Sequence, residues 1–289
     1  NDLLGGRTML ENIRLSFQGV WSHRLRSFLT MLGIIIGIAA IIAIVSTIKG
    51  TNEQIKKNLI GSGTNTTTVQ LTEEGNYPAE MEYGIPKGIP VLDDDMRQQL
   101  ADIDHVKDAS LYVSRTQVDY IYYNDTSLSG GQLIGADSHY LGTCGYIMKR
   151  GRGFTDSDYE KYRKVAVIDS VAADSLFGDA NPVGKTIDIK GEPFIVIGVI
   201  EESTAFSPVI NSVEDYYTYV YNDGSASGIV VIPDVDWNIV QQYDEPQNAK
   251  LLADSTDNMT SVGKAAQTLL NETVTSKSIK YRAANMNET

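Results

Sequence analysis

An uncharged run of 22 residues, Ser27–Ile48, constrains this chain more than any other feature of its sequence. At about 1.5 Å per residue, a helix of that length spans roughly the 30 Å of a bilayer's hydrocarbon core. The apolar core of a signal peptide is usually shorter, about 7–15 residues, and lies closer to the N-terminus. The run therefore predicts a transmembrane helix over residues 27–49, in preference to a signal peptide or a buried helix of a soluble domain.

Small residues recur within this predicted span. Gly33 and Gly37 stand four positions apart, and Ala40 continues roughly the same stripe. Small side chains allow a second helix to approach closely inside a membrane, so these three residues predict a helix-packing face. Glycine is also common in transmembrane helices without any packing role, and this alternative stays open.

Apolar residues also recur at helical spacing before the span, at Leu10, Ile13, Phe17, Val20, Trp21 and Leu25. Polar residues lie largely between them. Such a pattern is typical of an amphipathic helix in the membrane interface, and it predicts one within residues 1–26. Four basic residues precede the span, whereas Lys49, Lys56 and Lys57 follow it. The positive-inside rule thus favours a cytoplasmic N-terminus and a large extracytoplasmic domain in the cell membrane, although by a small margin.

The helical pattern continues beyond the membrane through Ile48, Ile55 and Leu59. It predicts a stalk over residues 50–63, which ends near the glycines of Gly61-Ser62-Gly63. Gly50 lies inside that stalk, where glycine costs about 1 kcal/mol relative to alanine, and it marks a possible joint. We expect Ile48, Gly50, Ile55 and Leu59 to couple movement between the membrane and the domain beyond it.

Charge excludes one class of partner for that domain. The whole chain carries a net charge of −13 and residues 1–49 contribute +3, so residues 50–289 carry −16. Nucleic acid binds to basic surfaces, because its phosphates are negatively charged, so we do not expect this domain to bind nucleic acid. An acidic balance is ordinary for a domain that faces solvent outside the cell.

Residues for metal, cofactor or catalytic chemistry are not arranged in any familiar pattern. Cys144 is the single cysteine, and His23, His105 and His139 are widely separated. The stretch Gly178–Thr186 resembles a phosphate-binding loop, but five residues separate its glycines where four are needed, and it is predicted to run from helix to strand. The sequence therefore predicts no cofactor, no metal and no enzyme active site.

Beyond the stalk, short elements of both kinds predict an α+β domain. The predicted strands are Thr66–Leu71, Val106–Val113, Gln117–Tyr123, Val165–Ile168, Thr186–Lys190, Phe194–Ile200, Ile229–Pro233, Asn248–Asp254 and Ser278–Ala283. The predicted helices are Asp93–Leu100, Ser170–Phe177 and Thr260–Asn271, the last with Val262, Ala265, Ala266, Leu269 and Leu270 inward. A turn is predicted at Gly191-Glu192-Pro193, and an insertion over Glu201–Gly228.

Three segments of the chain resemble the MacB/FtsX-type ABC transporter permeases. They are ENIRLSFQGVWSHRLRSFLTMLGIIIGIAAIIAIVSTIKG at Glu11–Gly50, GRGFTDSDY at Gly151–Tyr159 and SLFGDANPVGKTIDIKGEPFIVIGVI at Ser175–Ile200. The resemblance covers most of residues 10–285. It implies a four-span permease with its large extracytoplasmic domain between the first two spans.

The resemblance also implies how that domain is divided and what it works with. An α+β porter subdomain is split into residues 64–129 and 241–289, and a β-rich sabre subdomain over residues 130–240 is inserted between them. Members of the family form dimers, work with a cytoplasmic ATPase and sometimes with an extracytoplasmic adaptor protein, and transmit ATP-driven movement to the ectodomain. Their substrates include antibiotics, peptides, toxins and lipoproteins.

A different class of function remains open at this stage. A single-span receptor or sensor could have the same helix followed by a ligand-binding ectodomain. A membrane-anchored hydrolase fits less well, because no nucleophile and base stand in a familiar arrangement. The end of the chain at Thr289, without a second span, indicates a fragment of a longer permease, and three more spans beyond it would separate the first two alternatives.

Overall fold

The computed structural model describes residues 24, 26–43, 45, 65–73, 78–79, 81, 84–201 and 228–283. It divides into two compact units, Asn1–Ile55 and Lys56–Thr289, which are described separately. Most of the predicted amphipathic helix, all of the stalk over 50–63 and residues 202–227 of the predicted insertion lie outside the described residues.

The first unit contains helix α1, Arg26–Ala43, which is long and apolar enough to cross a membrane. Its large side chains are exposed in the isolated chain: Phe28 is 62 % and Ile41 is 63 % accessible. A soluble protein would bury such a surface, because each large apolar side chain gains about 1.5–3 kcal/mol on leaving water. The polar group of Thr30 donates to the carbonyl of Arg26 at 2.8 Å, so α1 presents few unsatisfied polar groups to its surroundings.

The second unit is a mixed sheet with helices, which confirms the α+β class. Its described strands are β1 (Thr66–Thr72), β2 (Val106–Val118), β3 (Ile121–Tyr123), β4 (Thr126–Ser127), β5 (Gly131–Ala136), β6 (Ile147–Gly151), β7 (Val165–Asp169), β8 (Thr186–Ile189), β9 (Glu192–Glu201), β10 (Ile229–Pro233), β11 (Asn248–Ala253) and β12 (Lys280–Ala283). Its described α-helices are α2 (Asp94–Ala101), α3 (Tyr140–Thr143), α4 (Asp156–Glu160), α5 (Ser170–Phe177), α6 (Trp237–Gln241) and α7 (Met259–Glu272).

The strands form a single sheet in the order β12-β1-β11-β2-β5-β10-β7-β9-β8-β3-β4, with β6 paired to β9. The pairs β5/β10 and β7/β9 are parallel, and the other pairs of this sheet are antiparallel. Strand β1 lies between β11 and β12, so the two ends of the domain are joined in adjacent strands.

Two hydrophobic cores account for most of the buried side chains. The terminal core is built from residues between Val69 and Leu111 together with residues between Ala249 and Ala283. The central core is built from residues between Val113 and Val240. A smaller cluster contains Tyr112, Ile134, Ala136, Tyr140, Cys144, Val167, Ile200 and Val231.

Strand β2 passes from one core to the other between Leu111 and Val113. Four residues that the sequence places in the first porter segment, Val113, Val118, Ile121 and Leu128, pack into the central core. The predicted subdomain limits at 129/130 and 240/241 remain predictions. The packing nevertheless divides the domain into a part drawn from both chain ends and a part drawn from the middle.

Helix boundaries follow the expected capping chemistry. Asp93 caps α2 by accepting a hydrogen bond from the backbone N–H of Met96 at 2.9 Å, which confirms the acidic helix start. Asp169 caps α5 in the same way through Ala172 at 2.7 Å, and α5 covers the predicted range. Strand β10 also matches its prediction.

Three predicted details are wrong. Strand β2 does not stop at Val113 but runs to Val118, because a register shift between Arg115 and Val118, with Gln117 at φ +53°, absorbs the irregularity. The predicted strand Gln117–Tyr123 is therefore divided between the end of β2 and β3. The turn near residue 191 lies at Lys190-Gly191, both with positive φ as a type I′ hairpin requires, so β9 begins at Glu192.

The third wrong detail concerns the buried face of α7. Ala265 is exposed, whereas Gly263 is buried. A Cβ atom at Gly263 would lie 3.1 Å from the Cβ of Ala283 and 3.3 Å from Oγ1 of Thr67. The helix therefore approaches β1 and β12 closely along its glycine, which rotates Ala265 towards solvent.

Candidate functional site

The small residues of α1 are available to a partner helix. An added Cβ at Gly33 or at Gly37 would meet no atom within 4 Å, and Ala40 is exposed. Within the first unit, all three residues therefore lie on an uncovered surface of α1. Their role in helix packing remains a prediction. The proposed coupling residues of the stalk lie outside the described residues, so their role stays a prediction; they are Ile48, Gly50, Ile55 and Leu59.

An arginine clamp occupies the segment between β6 and β7, inside the motif Gly151–Tyr159. Arg152 donates two hydrogen bonds to the carboxylate of Asp158, at 2.6 and 3.0 Å, and Arg163 lies 3.5 Å away. The N–H and the hydroxyl of Thr155 both donate to Asp158 Oδ2 at 2.9 Å, which forms a capping box at the start of α4.

This clamp fixes the charge of Asp158. Its carboxylate is fully buried, yet the hydrogen-bonded Arg152 holds its pKa well below the usual range. The motif GRGFTDSDY is therefore a structural motif that anchors the turn into α4. This clamp is not among the sequence expectations above; its one signal in the sequence is that Asp158 stands between Arg152, inside the motif, and Arg163, just beyond it.

Two glycines bring β6 and β9 together at the same place. Gly151 has a φ of +74°, and an added Cβ would lie 2.2 Å from the carbonyl oxygen of Ile197. An added Cβ at Gly198 would lie 2.3 Å from the carbonyl oxygen of Arg152. Larger residues would force the two backbones apart, so the second and third segments of the family resemblance meet at one backbone contact.

A buried ion pair lies where the chain returns from the central core to the terminal core. Arg115 on β2 donates to Glu245, which lies in the connection between α6 and β11 and is 2 % exposed. The guanidinium of Arg115 also lies 5.6 Å from the ring centre of Trp237, within the range of a cation–π contact. The pair joins the two chain segments that cross between the cores.

Acidic residues follow the carboxyl ends of the parallel strands β5 and β10. Asp137 accepts hydrogen bonds from the hydroxyl of Ser110 and the N–H of Leu111, both at 2.7 Å. Asp236 is fully buried, and neither of its carboxylate oxygens has a hydrogen-bond partner among the described residues. Burial raises the pKa of Asp236 to about 6, with Lys164 opposing and Asp234 adding to the effect. Burial, together with the charge of Asp137, also raises the pKa of Asp234 to about 6.

A neighbouring polar network has the residue types of a hydrolase without its geometry. Nδ1 of His139 lies 2.9 Å from Asp108, whose other oxygen accepts from Thr143 at 3.2 Å. Ser110 bonds to Asp137 and not to the histidine. Within the part of the chain that the structure describes, no group of three or more His, Cys, Asp and Glu residues could hold a metal ion. The contacts of His139 and Thr143 with Asp108 instead hold α3 against β2.

The phosphate-loop resemblance has no support in the fold. The stretch Gly178–Thr186 connects α5 to β8, which is helix to strand. A phosphate-binding loop needs the reverse order, because the anion binds to the free N–H groups at the start of the helix that follows.

Comparison with known proteins identifies a family. The model of the MacB-like periplasmic core domain matches residues 27–269. The uncharacterized ABC transporter permease YvrN of Bacillus subtilis is 35 % identical over 269 residues, which is 91 % of this chain and 62 % of that protein. The macrolide export ATP-binding/permease protein MacB of Campylobacter fetus is 32 % identical over 213 residues, 73 % of this chain and 32 % of that protein.

A solved structure has the same fold. The extracellular domain of the noncanonic ABC-type transporter YknZ from Gram-positive bacteria superposes with a TM-score of 0.53 at 21 % identity, over 76 % of this chain and 100 % of that domain. At this identity the likeness supports the fold alone. The present chain spans less than two thirds of the length of YvrN and about a third of MacB.

Proposed function

Because this chain belongs to the family of MacB-like periplasmic core domains, we propose that it is the first membrane-spanning helix and the extracytoplasmic domain of an ABC transporter permease. The observation that carries this proposal is the order of its parts. An apolar, fully exposed helix over Arg26–Ala43 precedes a domain whose two ends meet in adjacent strands. A domain closed in this way can be inserted between two membrane spans, because its chain enters and leaves at neighbouring positions.

The proposed mechanism is mechanical coupling. A cytoplasmic ATPase, on a separate chain or domain, closes and opens with each cycle of ATP hydrolysis. The movement passes through the first span and the stalk, with Ile48, Gly50, Ile55 and Leu59 as the coupling residues, into the extracytoplasmic domain. In this proposal the N-terminus is cytoplasmic, and two permease copies pack through the helix face of Gly33, Gly37 and Ala40.

The extracytoplasmic domain is proposed to act as two subdomains that correspond to its two cores. The terminal core forms the porter subdomain, over residues 64–129 and 241–289, and the central core forms the sabre subdomain, over residues 130–240. The passage of β2 from one core to the other favours a first limit closer to residue 112. Arg115 and Glu245 then lie at the joint between the subdomains.

The substrate is proposed to be one that is exported or extracted from the membrane, such as an antibiotic, a peptide or a lipoprotein, with or without an extracytoplasmic adaptor. Of the relatives, MacB is named for macrolide export. The deciding experiment reconstitutes the full-length permease in vesicles with its ATPase. ATP-dependent movement of a macrolide or a peptide supports the proposal. A full-length protein that neither associates with an ATPase nor responds to ATP would instead support the receptor alternative.

A further inference from the structure

A small cleft lies between strand β6 and helix α5, on the outer side of the central core. Its volume is about 160 Å³. Three of its lining residues, Ala173, Pro182 and Val199, are apolar and buried. They offer apolar contact to a short hydrocarbon chain, while the charged lining residues determine which charges that chain must carry.

One wall is cationic and belongs to β6. Nζ of Lys149 lies 3.3 Å from the hydroxyl of Ser170 and 3.3 Å from Oε2 of Glu201. An ammonium group has three donor hydrogens, so one remains for a ligand. Arg150 lines the same cleft, and its guanidinium has no side-chain hydrogen bond or ion pair within the described part of the chain.

Two acidic residues also line the cleft: Asp174, one helical turn after Ser170, and Asp179, which follows the end of α5. Neither carboxylate is joined to a cation among the residues that the structure describes. Opposite charges thus share one cleft without forming an ion pair with each other. The space between them is where a ligand with both charges can satisfy all of them.

The direction of α5 matches this arrangement of charges. Ser170 is its first residue and lies beside Lys149, whereas Asp179 follows its last residue. The start of a helix carries a partial positive charge and its end a partial negative charge. An eight-residue helix is roughly 12 Å long at about 1.5 Å per residue, so Ser170 and Asp179 are separated by about that distance along the helix axis.

We propose that this cleft binds a small linear zwitterion, with its carboxylate at Lys149 and Arg150, its ammonium group at Asp174 and Asp179, and its hydrocarbon chain on Ala173 and Val199. An α-amino acid carries both charged groups on one carbon atom and cannot span the distance from Lys149 to Asp179. An ω-amino acid can reach both residues. The site is independent of the proposed transport function, since none of its residues belongs to α1 or to the predicted stalk.

The local charge makes the cationic wall distinctive. Residues 50–289 carry a net charge of −16, whereas Ile147–Gly153 carries three basic residues and no acidic residue. A carboxylate that approaches this domain is repelled by most of its surface and attracted to β6. A simple anion would still meet Asp174 and Asp179, so we expect the zwitterion to bind more tightly than the corresponding anion.

The test uses 6-aminohexanoate with the full chain in detergent micelles, and titration calorimetry or ligand-observed NMR as the readout. An affinity on the order of 1 mM is expected for so small a ligand. Hexanoate and hexylamine have the same hydrocarbon chain with only one charge each, and they should bind at least about tenfold more weakly.

Two variants locate the site. Lys149→Gln and Asp179→Asn should each weaken 6-aminohexanoate binding about tenfold, because each removes one charge-assisted hydrogen bond. Lys161→Gln and Asp125→Asn are matched controls at exposed positions outside the cleft and should leave binding unchanged. No saturation up to about 50 mM, equal binding of hexanoate, or the same loss in the controls would each overturn the proposal. All four positions are exposed, so loss of folding will not mask the result.

Discussion

Arg115 and Glu245 are 130 residues apart in sequence and form a buried ion pair at the point where the chain crosses between the two cores. The Glu245 side chain is 1 % exposed, and that of Arg115 is 16 % exposed. Such a pair contributes little beyond what apolar residues of the same size would provide, but losing one partner leaves an uncompensated buried charge.

Replacing Glu245 alone should therefore be costly. Glu245→Ala is expected to lower the free energy of unfolding by about 3 kcal/mol, because Arg115 is left without its carboxylate. The measurement is chemical denaturation of the full chain in detergent. The double variant Arg115→Met with Glu245→Met should recover most of that loss.

The matched control for this pair is Glu201→Gln. It breaks the Lys149–Glu201 contact, whose side chains are 48 % and 42 % exposed, and should change stability by less than about 1 kcal/mol. If Glu245→Ala costs no more than Glu201→Gln, the crossing between the cores does not depend on the buried pair.

Asp236 gives a pH prediction. Its folded-state pKa is raised by burial from 3.8 to about 6, so the folded protein holds its proton more tightly than the unfolded chain. The ionised carboxylate therefore lowers the free energy of unfolding. This loss of stability is absent below pH 3.8, develops as the pH rises from 3.8 to about 6, and is complete above about pH 6. Asp236→Asn removes the ionisable group and should raise stability at neutral pH by about 2 kcal/mol.

The readout for Asp236→Asn is the difference in Tm from the unaltered chain at neutral pH and near pH 4. The difference should be largest at neutral pH and shrink towards zero in acid. Asp244→Asn, at an exposed neighbouring position, is the control. An equal gain at both pH values would mean that the carboxylate of Asp236 is already protonated or is paired in solution.

Local sequence signals predict much of this fold, whereas contacts between residues that are distant in sequence leave no such signal. Helix α5 was predicted residue for residue, because Asp169 supplies a cap and Gly178 ends the pattern. The bulge at Gln117 was missed, since glutamine has no special preference for positive φ. The Arg115–Glu245 pair had no local signal, because its partners lie on separate elements. The packing face of α1 is predicted from the spacing of Gly33, Gly37 and Ala40, and it stays a prediction.

The closure of the domain by its C-terminal segment gives a truncation prediction. Strand β12 pairs with β1, and helix α7 places Met259, Val262, Ala266 and Leu270 in the terminal core. Deleting residues 260–289 should therefore expose the amides of β1 to hydrogen exchange, although β1 lies far away in sequence. A truncation after Ala283, which keeps β12, is the control. Equal protection of β1 in both truncations would contradict the split arrangement of the terminal core.

The chain alone is expected neither to bind nor to hydrolyse ATP. Its one phosphate-loop-like stretch, Gly178–Thr186, leads from α5 into β8 and so offers the phosphates no helix start. Calorimetric titration of the purified chain with Mg-ATP should show no saturable heat. Stoichiometric binding would place a nucleotide site in this chain and would move the ATPase role away from a separate domain or subunit.

The last prediction tests mechanical coupling through the stalk. Proline in a helix interior removes a hydrogen bond, clashes with the preceding turn and costs about 3 kcal/mol or more. Asn52→Pro lies between Ile48 and Ile55 and should kink the predicted rod between the membrane and the extracytoplasmic domain. In the full-length permease with its ATPase, we expect membrane insertion and much of the basal ATP hydrolysis to persist while transport is lost. Asn52→Ala, which favours the helix, is the matched control and should transport normally. Paired measurements of ATP hydrolysis and transport in reconstituted vesicles decide the matter, and near-normal transport by Asn52→Pro would mean that the stroke reaches the domain by another route.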